Sequence, residues 1–189
     1  MDEQRAIQRL KRGEIAGLEL LVRHYQVKAV RAAYLITRDP GLAEDVVQDC
    51  FLQAYRSIRR FDETRPFEHW FMRSVVNASV KILQKSAREV QMDGDGESDE
   101  SLFAELAARV ESVEEQMESI EIQNQIWDAM QKLSARQRAV IVQRYFLDMS
   151  EKEMAEEAGS AVGTVKWMLN AARSRLRGLL GDTHRRSEP

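Results

Sequence analysis

The feature that most constrains the fold of this 189-residue chain is a break near its middle. The stretch Met92–Ser101 reads MDGDGESDES and contains five carboxylates and two glycines. It has turn-forming residues and a single sign of charge but nothing to bury, which is the composition of a linker. It divides the chain into two blocks of roughly 90 residues, and each block can build only a small hydrophobic core.

The net charge of −3 conceals three blocks of different charge. Residues 1–92 and residues 132–189 each carry four more basic than acidic side chains, whereas residues 93–131 carry eleven more acidic than basic ones. The sequence therefore predicts two mildly basic domains joined by a strongly acidic segment. A function for the chain has to account for that arrangement.

Composition excludes several classes of protein. Hydrophobic residues make up 43% and charged residues 31%, with three prolines and nine glycines, which favours a soluble helical protein over a turn-dense β-sandwich. The single cysteine, Cys50, excludes a disulfide framework and a cysteine-based zinc site and predicts a reducing compartment. The charged N-terminus resembles no signal peptide and no apolar run approaches ~20 residues, so we expect a cytoplasmic protein without membrane insertion.

The first block is predicted to form three packed helices. The first covers about Glu14–Thr37 and ends at Asp39–Pro40, which is also the start signal of the next helix, over Gly41–Arg59. The third begins at Pro66. Apolar residues recur at spacings of three and four along the second and third helices, which predicts an inward face made of Val47, Cys50, Phe51, Ala54, Ile58, Phe67, Trp70, Phe71, Val75, Ala78 and Ile82.

The last block begins with two capping boxes. Ser134 opens a helix predicted to reach about Leu147, and Ser150 opens a short helix that ends before Gly159. A further helix is predicted over Ala161–Leu180, and its inward residues are Val165, Leu169, Ala172, Leu176 and Leu179. The fold class is therefore all-α, with two small helical domains joined by an acidic flexible linker.

The two helices around Gly159 have the spacing of a helix-turn-helix, whose second helix enters a DNA major groove. The alternative is an ordinary αα-hairpin. Charge favours DNA binding, because no acidic residue lies between Ala158 and Gly181 and one helix face carries Lys166, Asn170, Arg173 and Arg177. The role of Trp167 stays open, since it could pack on DNA sugars or cover the hairpin.

Two further exposed faces are predicted in the first block. One carries Asp45, Gln48, Asp49, Leu52 and Arg56; it suits either a solvated surface or docking on a basic partner helix, which the apolar Leu52 favours. The other carries Arg73, Asn77, Lys81, Lys85 and Arg88, behind a loop that mixes basic residues with Phe61. It suits either a solvated basic face or single-strand binding beside a pocket for an unstacked base.

The sequence shows no pattern of a catalytic or cofactor site that would favour a different function. The three histidines are scattered, and no His, Asp and Glu grouping has the spacing of metal ligands on one helix face. Cys50 falls on the core face, and the chain has no phosphate-binding glycine loop. We therefore expect no enzyme, no metal and no cofactor.

Taken together, these residues resemble the extracytoplasmic-function (ECF) group of bacterial RNA polymerase sigma factors. Ala43–Asp62, reading AEDVVQDCFLQAYRSIRRFD, is similar to conserved region 2. Leu133–Ile141 (LSARQRAVI), Met149–Ala155 (MSEKEMA) and Gly163–Lys166 (GTVK) are similar to region 4. The resemblance covers about residues 5–90 and 121–181, with the two regions in the family's order.

The resemblance implies a role for each face. The region 2 helix of the family docks on the clamp helices of the polymerase β′ subunit, which falls here on Asp45, Gln48, Asp49 and Leu52. The family's following loop and helix melt the −10 element and capture a flipped base, which falls on Phe61, Asp62, Arg65, Arg73, Asn77 and Lys81. Region 4 reads the −35 element, which falls on Thr164, Lys166, Trp167, Asn170, Arg173 and Arg177, with Arg136 and Arg138 on phosphates.

The resemblance also implies the partners and the domains. It implies binding to core RNA polymerase, through the β′ clamp helices and the β flap, to promoter DNA and to an anti-sigma factor. The expected domains are region 2 over 1–91, an acidic linker over 92–120, region 4 over 121–182 and a disordered tail over 183–189. Trp167 and Met168 depart from the family, which usually has a small polar residue and a basic one there.

Two other functions remain as alternatives. A free-standing helix-turn-helix regulator, dimeric on a palindrome, would explain the last block but not the two faces of the first. A helical adaptor that binds only proteins would leave the acid-free helix unexplained. Transcription with core polymerase separates the three, because only a sigma factor initiates from a specific site.

Overall fold

The computed structural model describes residues 3–89 and 124–186 of the chain. These residues form helices and connecting turns, and no strand occurs among them. They fall into two compact units, which lie within Met1–Gly96 and Glu97–Pro189. The prediction of an all-α fold with two small domains is confirmed, whereas the acidic linker predicted over 92–120 lies outside the described residues.

The first unit, as described over residues 3–89, contains four α-helices and one turn of 3₁₀ helix. The α-helices are α1 (Glu3–Lys11), α2 (Ala16–Thr37), α3 (Pro40–Ser57) and α4 (Phe67–Glu89), and the 3₁₀ turn, Ile58–Arg60, follows α3 directly. Helix α2 packs against the other three α-helices and so lies at the centre of this unit.

The junction between α2 and α3 forms as its sequence predicts. Arg38 adopts a left-handed conformation, with φ of 65°, and ends α2. The carboxylate of Asp39 then accepts a hydrogen bond of 2.8 Å from the amide of Leu42, while Pro40 occupies the first turn of α3. The cap satisfies an amide that has no partner within the helix, and proline there loses no helical hydrogen bond.

Aromatic rings fill the core of the first unit. The rings of Phe51 and Phe71 stack with centroids 4.4 Å apart, and Phe67 lies nearly parallel to Phe71 at 5.8 Å. The inward faces predicted for α3 and α4 are confirmed: most of their residues are buried, and Trp70, Ala78 and Ile82 are half-buried. Cys50 is a buried member of this core, as expected.

Helix α1 was not anticipated from the sequence. It buries Ala6, Ile7 and Leu10 against α2, where Gly17 makes the close approach possible. A side-chain carbon at Gly17 would overlap the backbone of α1, including the amide nitrogen of Leu10 at 2.8 Å. The two helix backbones therefore approach more closely than any larger residue at Gly17 would allow.

The second unit begins, in the described part, with helical residues 124–131, labelled α5. Helix α6 (Ala135–Ile141) continues directly into a π-helical turn (Val142–Phe146). Helices α7 (Glu151–Ala158) and α8 (Val162–Arg186) follow. Helix α8 packs against both α6 and α7 and buries Val165, Leu169 and Ala172, while Leu176 and Leu179 are half-buried.

The predicted caps of the second unit are confirmed. Ser134 and Ser150 each accept a hydrogen bond from the amide three residues later, at 3.3 and 3.2 Å. The side chains of Gln137 and Glu153 accept hydrogen bonds in return from the amides of the two serines, so both capping boxes are complete. Gly159 has a φ of 59° and ends α7 in the left-handed region.

One boundary differs from its prediction. Helix α8 extends to Arg186, so the segment expected to be a disordered tail from residue 183 is helical over 183–186. No proline interrupts the sequence there, and basic residues at a helix C-terminus interact favourably with the helix dipole. Among residues 3–89 and 124–186, no helix is both long enough and apolar enough to cross a bilayer.

Candidate nucleic-acid interface

Helix α3 presents an acidic face to solvent. All four residues predicted to dock on the polymerase are exposed: Asp45, Gln48, Asp49 and Leu52. Leu52 is 49% exposed and gives this polar face an apolar group. The two carboxylates lie one helical turn apart, and neither forms an ion pair with another described residue. We call this surface the acidic face.

A groove of about 380 Å³ borders the acidic face between α2 and α3. Most of its lining residues are apolar, and the full set is Val22, Gln26, Val30, Glu44, Val47, Gln48, Phe51 and Leu52. Gln48 and Leu52 therefore belong to both the acidic face and the groove. An apolar channel with carboxylates beside it is suited to a partner helix that carries basic residues.

Helix α4 presents a row of polar and basic side chains. Arg73, Asn77, Lys81 and Lys85 are exposed at intervals of four residues, while the side chain of Arg88 lies outside the described part. We call these four residues the basic row. A second groove, of about 550 Å³, lies beside it between α3 and α4, and Lys81 and Lys85 are among its lining residues.

A tight turn precedes the basic row. The carboxylate of Asp62 accepts hydrogen bonds from the amide and the hydroxyl of Thr64, at 3.0 and 2.7 Å. These bonds lower the pKa of the Asp62 carboxyl below its usual range, first through the Thr64 hydroxyl and then through its amide. Asp62 and Arg65 are both exposed, so this turn places two polar side chains at the head of α4.

Phe61 does not lie where a DNA contact requires it. Its side chain is 4% exposed, and its ring packs against Trp70 at 5.1 Å and edge-on against Phe67 at 5.5 Å. Burial of the ring is more favourable than its exposure in a polar turn. The prediction that Phe61 contacts DNA is therefore corrected: the residue anchors the turn to the core.

Lys11 also holds this turn, although no sequence pattern indicates it. Its ammonium donates hydrogen bonds to the carbonyl oxygen of Phe61 at 2.9 Å and to the carboxylate of Glu63 at 2.6 Å. It also lies 5.9 Å from the centroid of the Phe61 ring. Contacts between residues about 50 positions apart leave no local signal in a sequence.

Helix α8 carries the residues predicted to contact the −35 element. Thr164, Lys166, Trp167, Asn170 and Arg177 are all exposed. Trp167 is 71% exposed, which excludes the alternative in which it covers the helix hairpin. Lys166 lies 3.8 Å from the carboxylate of Glu151, a contact between exposed side chains that restrains the ammonium little.

Arg173, the remaining predicted residue of α8, has a close side-chain partner that the sequence does not suggest. Its Nε donates a hydrogen bond of 2.7 Å to the hydroxyl of Tyr145, and its guanidinium lies 5.5 Å from the centroid of that ring. Tyr145 belongs to the π-helical turn and is 58% exposed. The contact depends on the π-helical turn, and no sequence pattern predicts that turn.

The two arginines predicted to contact phosphates differ in placement. Arg136 is exposed on α6. Arg138 is 3% exposed, and its Nη1 donates a hydrogen bond of 2.5 Å to the carbonyl oxygen of Leu133. A guanidinium buried against a carbonyl that precedes its own helix is structural, because withdrawing it would leave that oxygen unpaired. The prediction of a phosphate contact at Arg138 is corrected.

Two family models match the chain. The model described as Sigma-70 region 2 matches residues 21–89, and the model described as Sigma-70, region 4 matches residues 123–176. The first match contains α3 and α4, with the acidic face and the basic row. The second contains the capping boxes and the first half of α8.

Curated relatives resemble the whole chain. The ECF RNA polymerase sigma factor SigW of Bacillus subtilis is 29% identical over 181 residues, which cover 95% of this chain and 97% of that protein. The ECF RNA polymerase sigma-E factor of Haemophilus influenzae is 29% identical over 184 residues, covering 92% of each chain.

Solved structures resemble it as well. The sigma factor RpoE in complex with the anti-sigma factor NepR from Bartonella quintana matches with a TM-score of 0.65 and 27% identity, covering 86% of this chain and 94% of that one. CnrH in complex with the cytosolic domain of CnrY has a similar fold, with a TM-score of 0.61 at 23% identity over 95% of this chain and 97% of that one.

Proposed function

The chain belongs to the ECF group of bacterial RNA polymerase sigma factors, and from that premise we propose which of its surfaces carries each step of transcription initiation. It is an alternative sigma factor, which binds core RNA polymerase and directs initiation from specific promoters. The assignment rests above all on the occurrence of both sigma regions, in order, in one chain. A free-standing helix-turn-helix regulator would need only the second of them.

The acidic face is the proposed docking site for core polymerase. Asp45 and Asp49 supply two carboxylates that form no ion pair with a described side chain. Leu52 supplies an exposed apolar side chain, which also lines the groove between α2 and α3. The occupant has the chemistry of a basic helix, which the β′ clamp helices provide in the family. Burial of Leu52 against that helix contributes most of the affinity, and the carboxylates set its register.

The basic row and the turn before it are the proposed site for the melted −10 strand. Arg73 and Lys81 track the phosphates, Asn77 lies between them, and Asp62 and Arg65 lie at the head of the helix, where an unstacked base is held. Phe61 takes part only by fixing the turn to the core.

The exposed face of α8 is the proposed reader of the −35 element. Thr164, Lys166, Trp167 and Asn170 occupy the first three turns of the helix, the part that enters the major groove in helix-turn-helix proteins. Arg173, Arg177 and Arg136 are placed for phosphate contacts on either side. The second unit also contacts the β flap of the polymerase.

The proposed partners include an anti-sigma factor. The support is that a similar structure, 27% identical to this chain, contains a sigma factor bound to an anti-sigma factor. We place the chain in the cytoplasm with RNA polymerase, and we propose that it acts by binding alone, without catalysing a reaction of its own.

Free DNA is expected to bind weakly to the isolated protein. Each basic block has an excess of only four positive charges, which gives modest counterion release, and the acidic segment opposes it. The test is a mobility-shift assay and a transcription assay with and without core polymerase, on a promoter mapped from transcript starts after overexpression. Core-dependent binding and a specific start site are expected, whereas tight, specific binding without core would support the free-standing regulator instead.

A further inference from the structure

The side chains of Tyr145 and Arg173 form a pair on the exposed side of the second unit. The pair combines a 2.7 Å hydrogen bond from Arg173 Nε to the Tyr145 hydroxyl with a cation–π contact of 5.5 Å. The two residues are 28 positions apart and come from the π-turn and from α8. Neither the family matches nor the sequence patterns assign any role to Tyr145.

The π-turn fixes the position of the tyrosine. In Val142–Phe146 the backbone makes the wider turn, with the amide of Leu147 bonded to the carbonyl oxygen of Val142 at 3.0 Å. The amide of Met149 bonds to the carbonyl of Gln143 at 3.0 Å, and Arg144 Nη1 donates to the carbonyl of Met149 at 3.1 Å. Val142 is buried while Tyr145 is 58% exposed, so the turn directs the ring outward from a fixed base.

The hydrogen bond leaves most of the guanidinium free. Arginine has five N–H donors, and the bond from Nε uses one of them, so both terminal nitrogens keep their donors. The tyrosine oxygen acts here as an acceptor, so its own O–H also remains available as a donor. Such a fork of two nitrogens is the group that binds a phosphate oxygen or a guanine edge in a bidentate manner.

The pair also lowers the cost of using Arg173. A free arginine side chain loses rotamer entropy when it is immobilised on a ligand. Arg173 already has its Nε and the plane of its guanidinium restrained by Tyr145, whereas the contact between Lys166 and Glu151 is 3.8 Å long and restrains the lysine little. Arg173 is therefore the more preorganised of these two cations on α8.

The geometry points to Tyr145 as a positioning residue for promoter recognition: it orients the guanidinium of Arg173 toward the −35 duplex. The inference rests on the proposed function, because it needs α8 to face that duplex. Tyr145 acts through Arg173, and substitution of the tyrosine therefore has no effect where the arginine is absent.

The test is a double-mutant cycle on the full-length chain, assembled with core polymerase on a promoter mapped from transcript starts. The variants are Tyr145→Phe, which keeps the ring and removes the acceptor, Arg173→Met, and the two combined. We expect Tyr145→Phe to weaken promoter binding about fivefold and Arg173→Met about tenfold or more, with no further loss in the combination. The slope of log affinity against log salt should become shallower in both single variants, by at most about one.

Three results would overturn the inference. The first is promoter binding by Tyr145→Phe as tight as that of the wild type. The second is an equal loss from Tyr145→Phe with or without Arg173, and the third is a loss of affinity that leaves the salt slope unaltered. The second and third results would assign the effect to the tyrosine's own hydroxyl. Thermal unfolding of each variant serves as the folding control. Failure of the proposed function is distinguishable, because the wild-type chain would then give no core-dependent initiation at all.

Discussion

The ammonium nitrogen of Lys11 lies 2.9 Å from the carbonyl oxygen of Phe61, 50 residues later in the chain. The same ammonium bonds to Glu63, so a single side chain from α1 holds both the start and the body of the turn before α4. The Lys11 and Glu63 side chains are 25% and 32% exposed, which makes this one of the less solvent-screened ion pairs in the described chain. The turn is thus restrained from outside its own sequence.

Substitution Lys11→Met should loosen that turn and weaken capture of the −10 strand. The reason is that Asp62 and Arg65 would keep their local contacts but lose the fixed base under them. We expect reduced permanganate reactivity of −10 thymines in complexes with polymerase. Loss of the half-buried pair should lower the free energy of unfolding by about 1 kcal/mol.

Lys28→Met is the matched control for that change. It removes the same type of charge and breaks the 2.5 Å bond from Lys28 to Glu68, a more exposed ion pair that joins α2 to the first turn of α4 and makes no contact with the carbonyl of Phe61 or with Glu63. A control variant that impairs melting as much as Lys11→Met would show that lost stability, and not the turn, causes the defect.

Charge reversal of the acidic face should abolish binding to core polymerase. Asp45→Lys combined with Asp49→Lys places two ammonium groups where a basic partner helix is expected, and like charges across an interface are strongly unfavourable. Both residues are exposed, so the helical circular dichroism and the melting temperature should change little. Co-purification with core polymerase measures the binding.

The control has the same change in net charge at residues outside the acidic face. Glu19→Lys and Glu156→Lys reverse two exposed carboxylates whose only ion pairs among the described residues are surface pairs within their own helices. If the control lost core binding as completely as the double change at Asp45 and Asp49, total charge would explain the result and the docking assignment would fail.

The sequence predicts those parts of the fold that local chemistry determines. Asp39 with Pro40, the two capping serines and Gly159 each mark a helix end by their own hydrogen bonds or backbone conformation, and all of these ends form as expected. The inward faces of α3, α4 and α8 also follow from spacing alone, because burial repeats with the helical period.

The sequence does not predict features that depend on distant residues. Helix α1 has nine residues, buries three of them and needs Gly17 for its close packing, so its own pattern is short and its support lies elsewhere. Phe61 and Arg138 have the chemistry of DNA-contacting residues, and only their surroundings show that one is buried in an aromatic cluster and the other bonded to Leu133. Most of the other candidate residues are exposed, as their spacing away from the inward helix faces predicts.

Cys50 gives a prediction about pH. Burial, with a smaller contribution from Asp49, raises the pKa of its thiol from about 9 to about 11. At pH 8 only about one thiol in a thousand is then the reactive thiolate, so iodoacetamide should modify the native protein far more slowly than the unfolded chain. Quantitative mass spectrometry of labelled Cys50 over time measures both rates.

The same shift makes stability depend on pH. Because the folded pKa is raised, the neutral thiol's contribution is complete below pH 9 and is lost as the pH rises from 9 through 11. Between pH 8 and 11, the native chain should lose on the order of 2 kcal/mol of unfolding free energy relative to Cys50→Ala. A difference between the two that stays constant with pH would mean that the folded thiol titrates normally.

Trp167 should determine which −35 sequence this chain prefers. An indole that is 71% exposed in the second turn of α8 offers an apolar surface where the family usually has a small polar side chain, and an apolar contact with thymine methyl groups is the readout available to it. Trp167→Ser should weaken binding of the polymerase complex to the mapped promoter by about fivefold to a hundredfold while leaving the melting temperature nearly unchanged. Replacing −35 thymines by uracil, which lacks the methyl group, should weaken the wild type but not Trp167→Ser.

Ile126→Ser is the matched control, since Ile126 is an exposed apolar residue of the same unit outside the proposed reader. It should bind the thymine and uracil promoters as the wild type does. Equal sensitivity of the wild type and Trp167→Ser to uracil would contradict the proposed contact between Trp167 and the thymine methyl groups. The exposed indole would then be expected to contact a protein, because large aromatic side chains dominate the energetics of protein interfaces. Weaker retention of Trp167→Ser by polymerase or by an anti-sigma factor would identify which protein it contacts.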